Sequence, residues 1–294
     1  MIPVLLAIYT ITFIMIKATP GSPFDDERKV LPSVLEKQMA YYGYGESLPV
    51  QYWNLLYRHL TFDFPPIASV PGLTSGDIIR EHFLVSIELG LLGMGFALLI
   101  GLPAGVMAAW RKNTALDYVP MSLSMTGICL PTFVIGPILA LVFAQYLKWT
   151  PVSGWFGIEH RILPALTLGL FYAAYIARMT RGGMLEVLGL DYIRTARAKG
   201  LSEAVVVFKH ALRGGIMPVV SFLGPALAGV ISGSFVVETI FQVPGLGRHF
   251  VQAALNRDHS LIVTTVFFYA ILIIVANIIV DIVHVYLNPK LRYD

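Results

Sequence analysis

Charged residues are scarce in this chain, and cysteine is nearly absent. Of 294 residues, only 13% are Asp, Glu, Lys or Arg, whereas 56% are hydrophobic. Mean hydropathy is +0.71, and so few charges cannot cover a water-soluble core of this size. The one cysteine, Cys129, excludes an internal disulfide framework and a cysteine-based metal cluster, and its apolar neighbours predict a buried thiol. These absences indicate a protein whose main solvent is lipid.

Sequence motifs for catalysis are also missing. There is no G-x-x-x-x-G-K-[ST] phosphate loop, since Lys199-Gly200 runs in the reverse order. There is no H-E-x-x-H, no G-x-S-x-G and no zinc-ligand spacing among the seven histidines. A net charge of +3 is too modest to indicate nucleic-acid binding. We therefore predict no enzyme activity, no metal site and no nucleic-acid partner for this chain.

Six apolar stretches predict membrane-spanning helices, each of which needs about 20 residues. They cover residues 2–16, 83–109, 118–147, 162–179, 217–241 and 261–287. Pro131, Pro137 and Pro225 are predicted to kink the third and fifth spans. Glycines in the second and fifth spans predict close packing between helices. These glycines are Gly90, Gly93, Gly95, Gly101, Gly224, Gly229 and Gly233.

Cations in short loops predict the orientation of the chain. With both termini in the cytoplasm, Arg111, Lys112 and all cations from Arg178 to Arg213 lie on the cytoplasmic side. Residues 18–79 then form an extracytoplasmic insert, whose tyrosines and tryptophan predict a small folded unit. The first span lacks a charged start and a good cleavage site, so we interpret it as a retained helix rather than a signal peptide.

Ionisable residues in the spans would be needed if the protein were a secondary carrier driven by protons or sodium. A proton- or sodium-coupled carrier needs such residues deep in the membrane and usually has internal repeats. Glu88, Glu238, Asp281 and His284 all lie near the ends of their spans, where a structural hydrogen bond or a pore-lining role explains them. No repeat is visible either, so both observations count against a secondary carrier. That class stays as an alternative, as does a channel or scaffold that works without an ATPase.

The longest predicted cytoplasmic loop, residues 191–216, concentrates positive charge. Its cations are Arg194, Arg197, Lys199, Lys209 and Arg213. At about 100° per residue, Ile193, Ala196 and Gly200 share one face of a helix, where small residues would let a partner surface approach. Gly200 predicts a turn, with Ser202 as the N-cap of a second helix that starts near Glu203. The charge alone equally fits contact with lipid head groups.

Two patterns in this loop resemble a known family. "RTARAKG" at 194–200 and "HALRGGIMPVV" at 210–220 resemble the cytoplasmic loop of permease subunits of ABC importers, in the form carried by the peptide and nickel group. The resemblance extends along almost the whole chain. It includes "PGSPF" at 20–24, "LPVQYW" at 48–53, "MTGICLPTF" at 125–133, "YIARMTRGGMLEVL" at 175–188, "VVETIFQVPGLG" at 236–247, "ALNRDHSL" at 254–261 and "NPKLRYD" at 288–294. The last two resemble the oligopeptide-importer branch most closely.

The resemblance implies a fold and a role. The fold is all-α and polytopic, with six transmembrane helices in the type I ABC importer permease arrangement, one permease domain over residues 1–294 and an insert after the first helix. The chain would form half of a pathway for peptides, most specifically oligopeptides, and the loop would be a coupling helix in a groove of an ATPase subunit. The residues implied in docking are Arg194, Thr195, Ala196, Arg197, Ala198, Lys199, Gly200, Leu201 and Glu203, with Ala196 and Gly200 at the point of closest approach.

The resemblance also implies partners. They are a second homologous permease, two P-loop ATPase subunits that bind ATP and Mg, a periplasmic or lipid-anchored peptide-binding protein near the insert, and membrane lipid. The chain itself would hold no cofactor and would lie in the cell inner membrane with both termini cytoplasmic.

Two features depart from the family pattern. Family members begin with a basic stretch, whereas this sequence starts at "MIPVLL", so we expect either a start further upstream or a weakly anchored first helix. In "LTFDFPP" at 60–66, Phe62 and Pro65 replace expected glycines, which puts the local turn in question.

Overall fold

The computed structural model describes residues 2–18, 36, 39–41, 43, 45–67, 72–231, 235–256 and 258–287, with the side chains at 231, 280, 281 and 283–287 outside that description. The described part is helical, and its one strand-like feature is an isolated bridge between Pro66 and Thr74. The helices are α1 (Ile2–Ala18), α2 (Leu48–Leu60), α3 (Ser75–Trp110), α4 (Ala115–Cys129), α5 (Thr132–Tyr146), α6 (Ile158–Leu188), α7 (Asp191–Ala198), α8 (Glu203–Gly215), α9 (Met217–Ile231), α10 (Phe235–Ile240), α11 (Leu246–Leu255) and α12 (His259–Leu287).

Helices lie at all six predicted spans. Among the described residues, α3, α6 and α12 are each long and apolar enough to cross a membrane, and the bent pairs α4–α5 and α8–α9 pass the same test together. Helix α1 is a shorter apolar helix of 17 residues. The helix that contains the second predicted span begins at Ser75, upstream of residue 83. Thr74 and Asp77 cap it reciprocally: the Thr74 N–H donates to Asp77 Oδ2 at 2.8 Å and the Asp77 N–H to Thr74 Oγ1 at 3.3 Å.

The predicted kink of the third span is confirmed at Pro131. Helices α4 and α5 meet at 111°, and Leu130 has the extended backbone (φ −85°, ψ 121°) that a following proline favours. The break leaves Cys129 exposed at the end of α4, so the prediction of a buried thiol is wrong. A second bend, of 49°, lies between α8 and α9 at residue 216, just before the fifth predicted span. Pro225, where a kink was predicted, lies inside α9.

The chain divides into two compact units. The first comprises residues 1–86 with 244–275, and the second residues 87–243 with 276–294. In the first unit Tyr9 of α1 meets three rings edge-on, with centroid distances of 5.7 Å to Tyr52, 5.6 Å to His59 and 5.6 Å to Phe267. The aromatic residues of the predicted insert thus contribute to a core, as the sequence predicted for a folded insert.

Not every aromatic residue of the insert is buried. Tyr41 is buried, whereas Trp53 and Tyr57 are 63% and 69% exposed. Phe62 stands where the family pattern has glycine, yet its φ of 59° keeps the left-handed conformation that glycine would favour. Phe62 therefore takes a left-handed conformation in the turn of this chain.

Two histidines of the first unit lie next to each other, with their ring planes tilted by 31°. The His82 and His249 ring centroids are 4.0 Å apart, and His82 Nδ1 lies 2.9 Å from the Pro244 carbonyl oxygen. Burial, followed by the neighbouring His82 and Arg248, lowers the pKa of His249 to about 4. Burial also lowers the pKa of His59, whose Nδ1 lies 2.8 Å from the Leu55 carbonyl oxygen. Both side chains are therefore neutral near pH 7.

Glycines bring helices of the second unit close together. A Cβ added at Gly101 of α3 would lie 2.7 Å from the Ala173 carbonyl oxygen of α6, and one at Gly93 would lie 3.1 Å from Leu168. The predicted close approach is confirmed there, and also at Gly90 against Val230. The predicted approach is not found at Gly95, which is exposed and where a Cβ would meet nothing within 4 Å in the part of the chain that the structure describes.

Candidate functional site

The segment at residues 191–216 follows α6 after a tight turn. The Gly189 N–H donates to the Glu186 carbonyl at 3.2 Å, and the Leu190 N–H donates to the Val187 carbonyl at 3.0 Å. Leu190 then takes the extended N-cap conformation (φ −76°, ψ 154°), and α7 begins at the next residue. Since only two residues separate the helices, the end of α6 determines where α7 lies.

The apolar face of α7 points into the chain. Ile193 and Ala196 are 0% and 6% exposed and belong to a buried cluster with residues of α3, α6 and α8. The other members are Val106, Ala109, Met184, Val187, Val206, Val207 and Ala211. The prediction that Ala196 lies on a partner-facing surface is therefore wrong. Exposing Ile193 would forfeit about 2 kcal/mol of burial, so this face packs inward.

The outward face of α7 and the turn after it form an exposed, mainly cationic surface, which we call the α7 surface. Its residues are Arg194, Thr195, Arg197, Ala198, Lys199, Gly200, Leu201 and Glu203, and all of them are exposed. Two bonds stabilise the start of the helix: the Arg194 guanidinium lies 3.2 Å from an Asp191 carboxylate oxygen, and the Thr195 hydroxyl donates to the Asp191 carbonyl at 3.0 Å. Every predicted docking residue except Ala196 is thus exposed on this surface.

Gly200 ends α7 in a left-handed conformation with φ 77°. Its N–H donates to the Arg197 carbonyl at 2.9 Å, and the Leu201 N–H reaches the Ala196 carbonyl at 3.4 Å. These two bonds are those of a Schellman helix end, in which glycine is favoured because a Cβ would strain the backbone. A Cβ at Gly200 would meet nothing within 4 Å, so the turn, not crowding within this chain, requires glycine.

The turn is bridged by Arg197 and Glu203. Arg197 Nε donates to Glu203 Oε1 at 2.7 Å, and a terminal nitrogen donates to Oε2 at 3.3 Å. Helix α8 begins at Glu203, as the sequence predicted, and Ser202 occupies the N-cap position. The Ser202 hydroxyl makes no capping hydrogen bond. The predicted side-chain cap at Ser202 is therefore not formed, and the contact across the turn comes from the Arg197–Glu203 ion pair.

A cavity of about 290 Å³ opens beside this turn. It is lined by Ala109, Trp110, Lys112, Leu185, Leu188, Gly189, Arg197, Glu203 and Val207. The α7 surface therefore continues, through Arg197 and Glu203, into a wall shared with the end of α3.

Helix α8 is held against α6 by glycines. A Cβ at Gly183 would collide with the Gly215 carbonyl oxygen, and a Cβ at Gly215 would lie 2.6 Å from Met184 Sδ. Val206 to Ala211 form a π-helical turn, whose Val206, Val207 and Ala211 are buried. The segment is thus packed almost backbone to backbone onto α6, and its cations Lys209 and Arg213 remain exposed.

One ion pair near the segment was not predicted. Arg181 of α6 binds Asp117 of α4 through two bonds, from Nε to Oδ1 at 2.6 Å and from a terminal nitrogen to Oδ2 at 2.8 Å. The Asp117 side chain is 1% exposed. The sequence places the two residues 64 positions apart, and only the fact that each lies at the end of an apolar stretch could have suggested a pairing.

Of the four ionisable residues considered for ion coupling, the structure describes the side chains of Glu88 and Glu238. Glu88 binds Arg161 at 2.5 and 3.5 Å, and Glu238 is buried in α10. The side chains of Asp281 and His284 lie outside the described residues. Among the residues that the structure does describe, no group of three or more His, Cys, Asp or Glu could hold a metal ion.

Solved structures with a related fold include the inward-facing methionine ABC transporter MetNI. One of its chains superposes with a TM-score of 0.61 at 18% sequence identity, covering 72% of this chain and 96% of that chain. A crystal structure of an amino acid ABC transporter with histidines superposes with a TM-score of 0.56 at 16% identity, covering 71% of this chain and 94% of that one. The described helices therefore have the transmembrane fold of ABC importers, the type I permease fold that the sequence predicted.

Relatives of known sequence match nearly the whole chain. The oligopeptide transport system permease protein OppB of Salmonella typhimurium is 44% identical over 294 residues, or 99% of this chain and 96% of the relative. The Haemophilus influenzae protein of the same name is 43% identical over 294 residues, with the same coverage. The dipeptide transport system permease protein DppB of Bacillus subtilis is 41% identical over 288 residues, covering 98% and 94%.

The family match covers residues 101–293, which include the bent third span, α6, the α7 surface and α8. This region is described as the inner membrane component of binding-protein-dependent transport systems. With relatives above 40% identity along nearly its whole length, the chain belongs to the family of binding-protein-dependent transport system inner membrane components.

Proposed function

We propose that this chain is the transmembrane permease subunit of an ATP-driven importer of peptides and forms half of the translocation pathway. Oligopeptides are the proposed substrates, because the oligopeptide permeases named above match this chain along nearly its whole length. The match to a dipeptide permease makes shorter peptides the competing substrate. ATP hydrolysis is assigned to separate subunits that bind ATP and Mg, and this chain is not itself an enzyme.

The observation that carries the proposal is the α7 surface. It is exposed, cationic and rigidly built, with Gly200 in the turn and the Arg197–Glu203 pair across it. A loop that served only to contact lipid head groups would not need a fixed turn or a buried anchor such as Ile193. We assign this surface to the cytoplasmic side of the membrane, which is the side of the ATPase partner. Both chain termini are assigned to the same side.

The mechanism that follows is mechanical. Binding of ATP draws two ATPase subunits together, the α7 surfaces of two permeases move with them, and the transmembrane helices switch the side on which the pathway opens. The free energy comes from the different affinity of the ATPases for the two states of the permease pair. Six helices of one chain supply half of such a pathway, so the second permease is part of the proposal.

The residues around α2 are assigned to the outer side, where a periplasmic or lipid-anchored binding protein delivers the peptide. Trp53, Tyr57 and Phe62 are 63%, 69% and 72% exposed there. Exposed aromatic side chains close together in one short segment favour a contact with another protein. We propose them as part of the surface that receives the binding protein.

Uptake by whole cells tests this proposal. Cells that lack the gene for this chain are supplied with a labelled pentapeptide and, separately, a labelled dipeptide, with and without a plasmid that restores the chain. We expect restored uptake of the pentapeptide, which is lost again when the genes for the partner ATPases are removed. Uptake that persists without the ATPases contradicts the proposal and favours a secondary carrier or a channel. Restored uptake of the dipeptide alone would change the substrate and leave the rest in place.

A further inference from the structure

The buried carboxylate of Asp117 is held by three hydrogen bonds. Two come from the Arg181 guanidinium, at 2.6 and 2.8 Å, and the third from the Asn113 backbone N–H at 3.0 Å. The Arg181 side chain is 29% exposed and the Asp117 side chain 1%. A two-point pair between a guanidinium and a carboxylate fixes orientation as well as distance, which a single contact does not.

Arg181 belongs to a tightly packed body at the end of α6. A Cβ added at Gly105 of α3 would lie 2.5 Å from Thr180, the residue before Arg181. Two residues further on, Gly183 meets the backbone of Gly215 in α8. The buried cluster of Ile193 and Ala196 adds α7 to the same body. Since close-packed groups have no free volume to slide into, a displacement of the α7 surface carries the end of α6 with it.

Asp117 belongs to a helix that has its own hinge. It lies in the first turn of α4, and α4 ends before Pro131, where the chain turns by 111° into α5. Proline removes a helical hydrogen bond at that point, so a tilt of α4 is absorbed there. The other end of α4 connects to α3 through the short turn at residues 111–114, in which Asn113 has φ 62°.

We propose that Asp117 and Arg181 are a positioning pair that carries movement of the α7 surface into the third span. The proposal rests on the function proposed above, in which an ATPase moves the α7 surface. When α7 and α8 shift, Arg181 shifts with them, and the ion pair draws the first turn of α4 along. Neither residue contacts peptide or ATP; the pair acts through the helices that it joins.

A simpler role for Arg181 is that of a cation that fixes membrane topology. Any cation near the end of a span fills that role, including lysine. A lysine, however, presents one ammonium group and cannot reproduce the two parallel bonds of a guanidinium. The variant Arg181→Lys therefore separates the two roles, because it keeps the charge and removes the two-point link.

The test measures the number of ATP molecules hydrolysed per pentapeptide imported. The whole transporter, purified through this chain with the partners that accompany it, is reconstituted in vesicles with its binding protein. We expect Asp117→Asn and Arg181→Lys each to raise this ratio about tenfold. The double variant should have a ratio no higher than that of either single variant, because both substitutions break the same ion pair. The matched control is Glu88→Gln, which breaks the ion pair to Arg161 on the same helix α6. We expect it to leave the ratio unchanged.

The proposal is overturned if the variants lower import and hydrolysis only in proportion to the amount of assembled transporter, with the ratio unchanged. If Asp117→Asn fails to assemble, Arg181→Lys decides alone, since it retains the charge. A wild-type ratio in Arg181→Lys overturns the proposal. The wild-type transporter separates this outcome from failure of the proposed function: if wild-type import needs no ATP, the proposed function itself is wrong.

Discussion

Arg197 and Glu203 lie on either side of the Gly200 turn and are joined by two hydrogen bonds, at 2.7 and 3.3 Å. Their side chains are 40% and 52% exposed, and an exposed pair of this kind contributes at most about 1 kcal/mol to stability. The pair therefore matters less for folding than for the shape that it gives to the α7 surface. The predictions below separate the residues that fold this segment from those that present it to a partner.

Two alanines of α7, two positions apart, are predicted to behave differently. Ala196 is buried, whereas Ala198 is exposed. Ala196→Leu should overfill the core and lower the free energy of unfolding by about 1–3 kcal/mol. Ala198→Leu should change stability by no more than about 0.5 kcal/mol and yet reduce the amount of ATPase that copurifies. Thermal unfolding in detergent and a pull-down measure the two effects. Full ATPase recovery with Ala198→Leu contradicts the assigned outward face.

Substitutions at Gly200 should follow backbone conformation rather than side-chain size. Its φ of 77° favours glycine, then asparagine, and disfavours β-branched residues most. We expect Gly200→Asn to retain most of the copurifying ATPase, Gly200→Ala to lose part of it at a cost of about 1 kcal/mol, and Gly200→Val to lose nearly all. Equal losses for the asparagine and valine variants would instead indicate that a partner surface touches Gly200 directly.

Binding of the ATPase should weaken as salt is added. The segment at residues 191–216 contains five cations and two carboxylates, and charges exposed on such a surface are screened over about 3 Å at 1 M salt against about 10 Å at 0.1 M. We expect the dissociation rate to rise and the association rate to fall across this range, as measured with the purified ATPase on immobilised permease. Lys199→Gln should reduce the salt dependence. Binding that is independent of salt would contradict a charge-complementary partner.

The first compact unit should lose stability in mild acid. The pKa of His249 is lowered to about 4 from an ordinary 6.5, so the unfolded chain takes up a proton before the folded one does. Stability is fully present above pH 6.5 and declines as the pH falls from 6.5 towards about 4. His59, whose pKa is also lowered, acts in the same direction. Thermal unfolding at several pH values should show this decline, and His249→Gln should make it shallower. If His249→Gln has the same pH profile of stability as the wild type, His249 is not the cause of the decline.

Much of the fold followed from hydropathy, because lipid demands long apolar helices. All six spans have a helix, and the break at Pro131 was among the predicted kinks, whereas Pro137 and Pro225 lie inside helices. Hydropathy predicts spans but not where the helices around them begin. The start of α3 at Ser75 depends on the capping bonds of Thr74 and Asp77, which hydropathy does not register.

The exposed side of a helix could not be predicted, because it depends on what lies next to the helix. Periodicity correctly grouped Ile193 with Ala196, but only the structure shows that α3, α6 and α8 cover this face. Gly95 and Cys129 were assigned wrongly for the same reason. The pairing of Asp117 with Arg181 joins distant parts of the sequence and is set by the packing of α4 on α6.

Crosslinking from the α7 surface tests the central claim most directly. A cysteine introduced by Ala198→Cys, in a chain whose own exposed Cys129 is replaced by serine, places a short thiol-reactive crosslinker on this surface in intact membranes. Mass spectrometry then identifies the attached protein, with Ala196→Cys as the buried control. We predict a P-loop ATPase attached through position 198 and none through 196. If position 198 yields no ATPase, or only a second copy of this chain, the α7 surface is not where the ATPase docks.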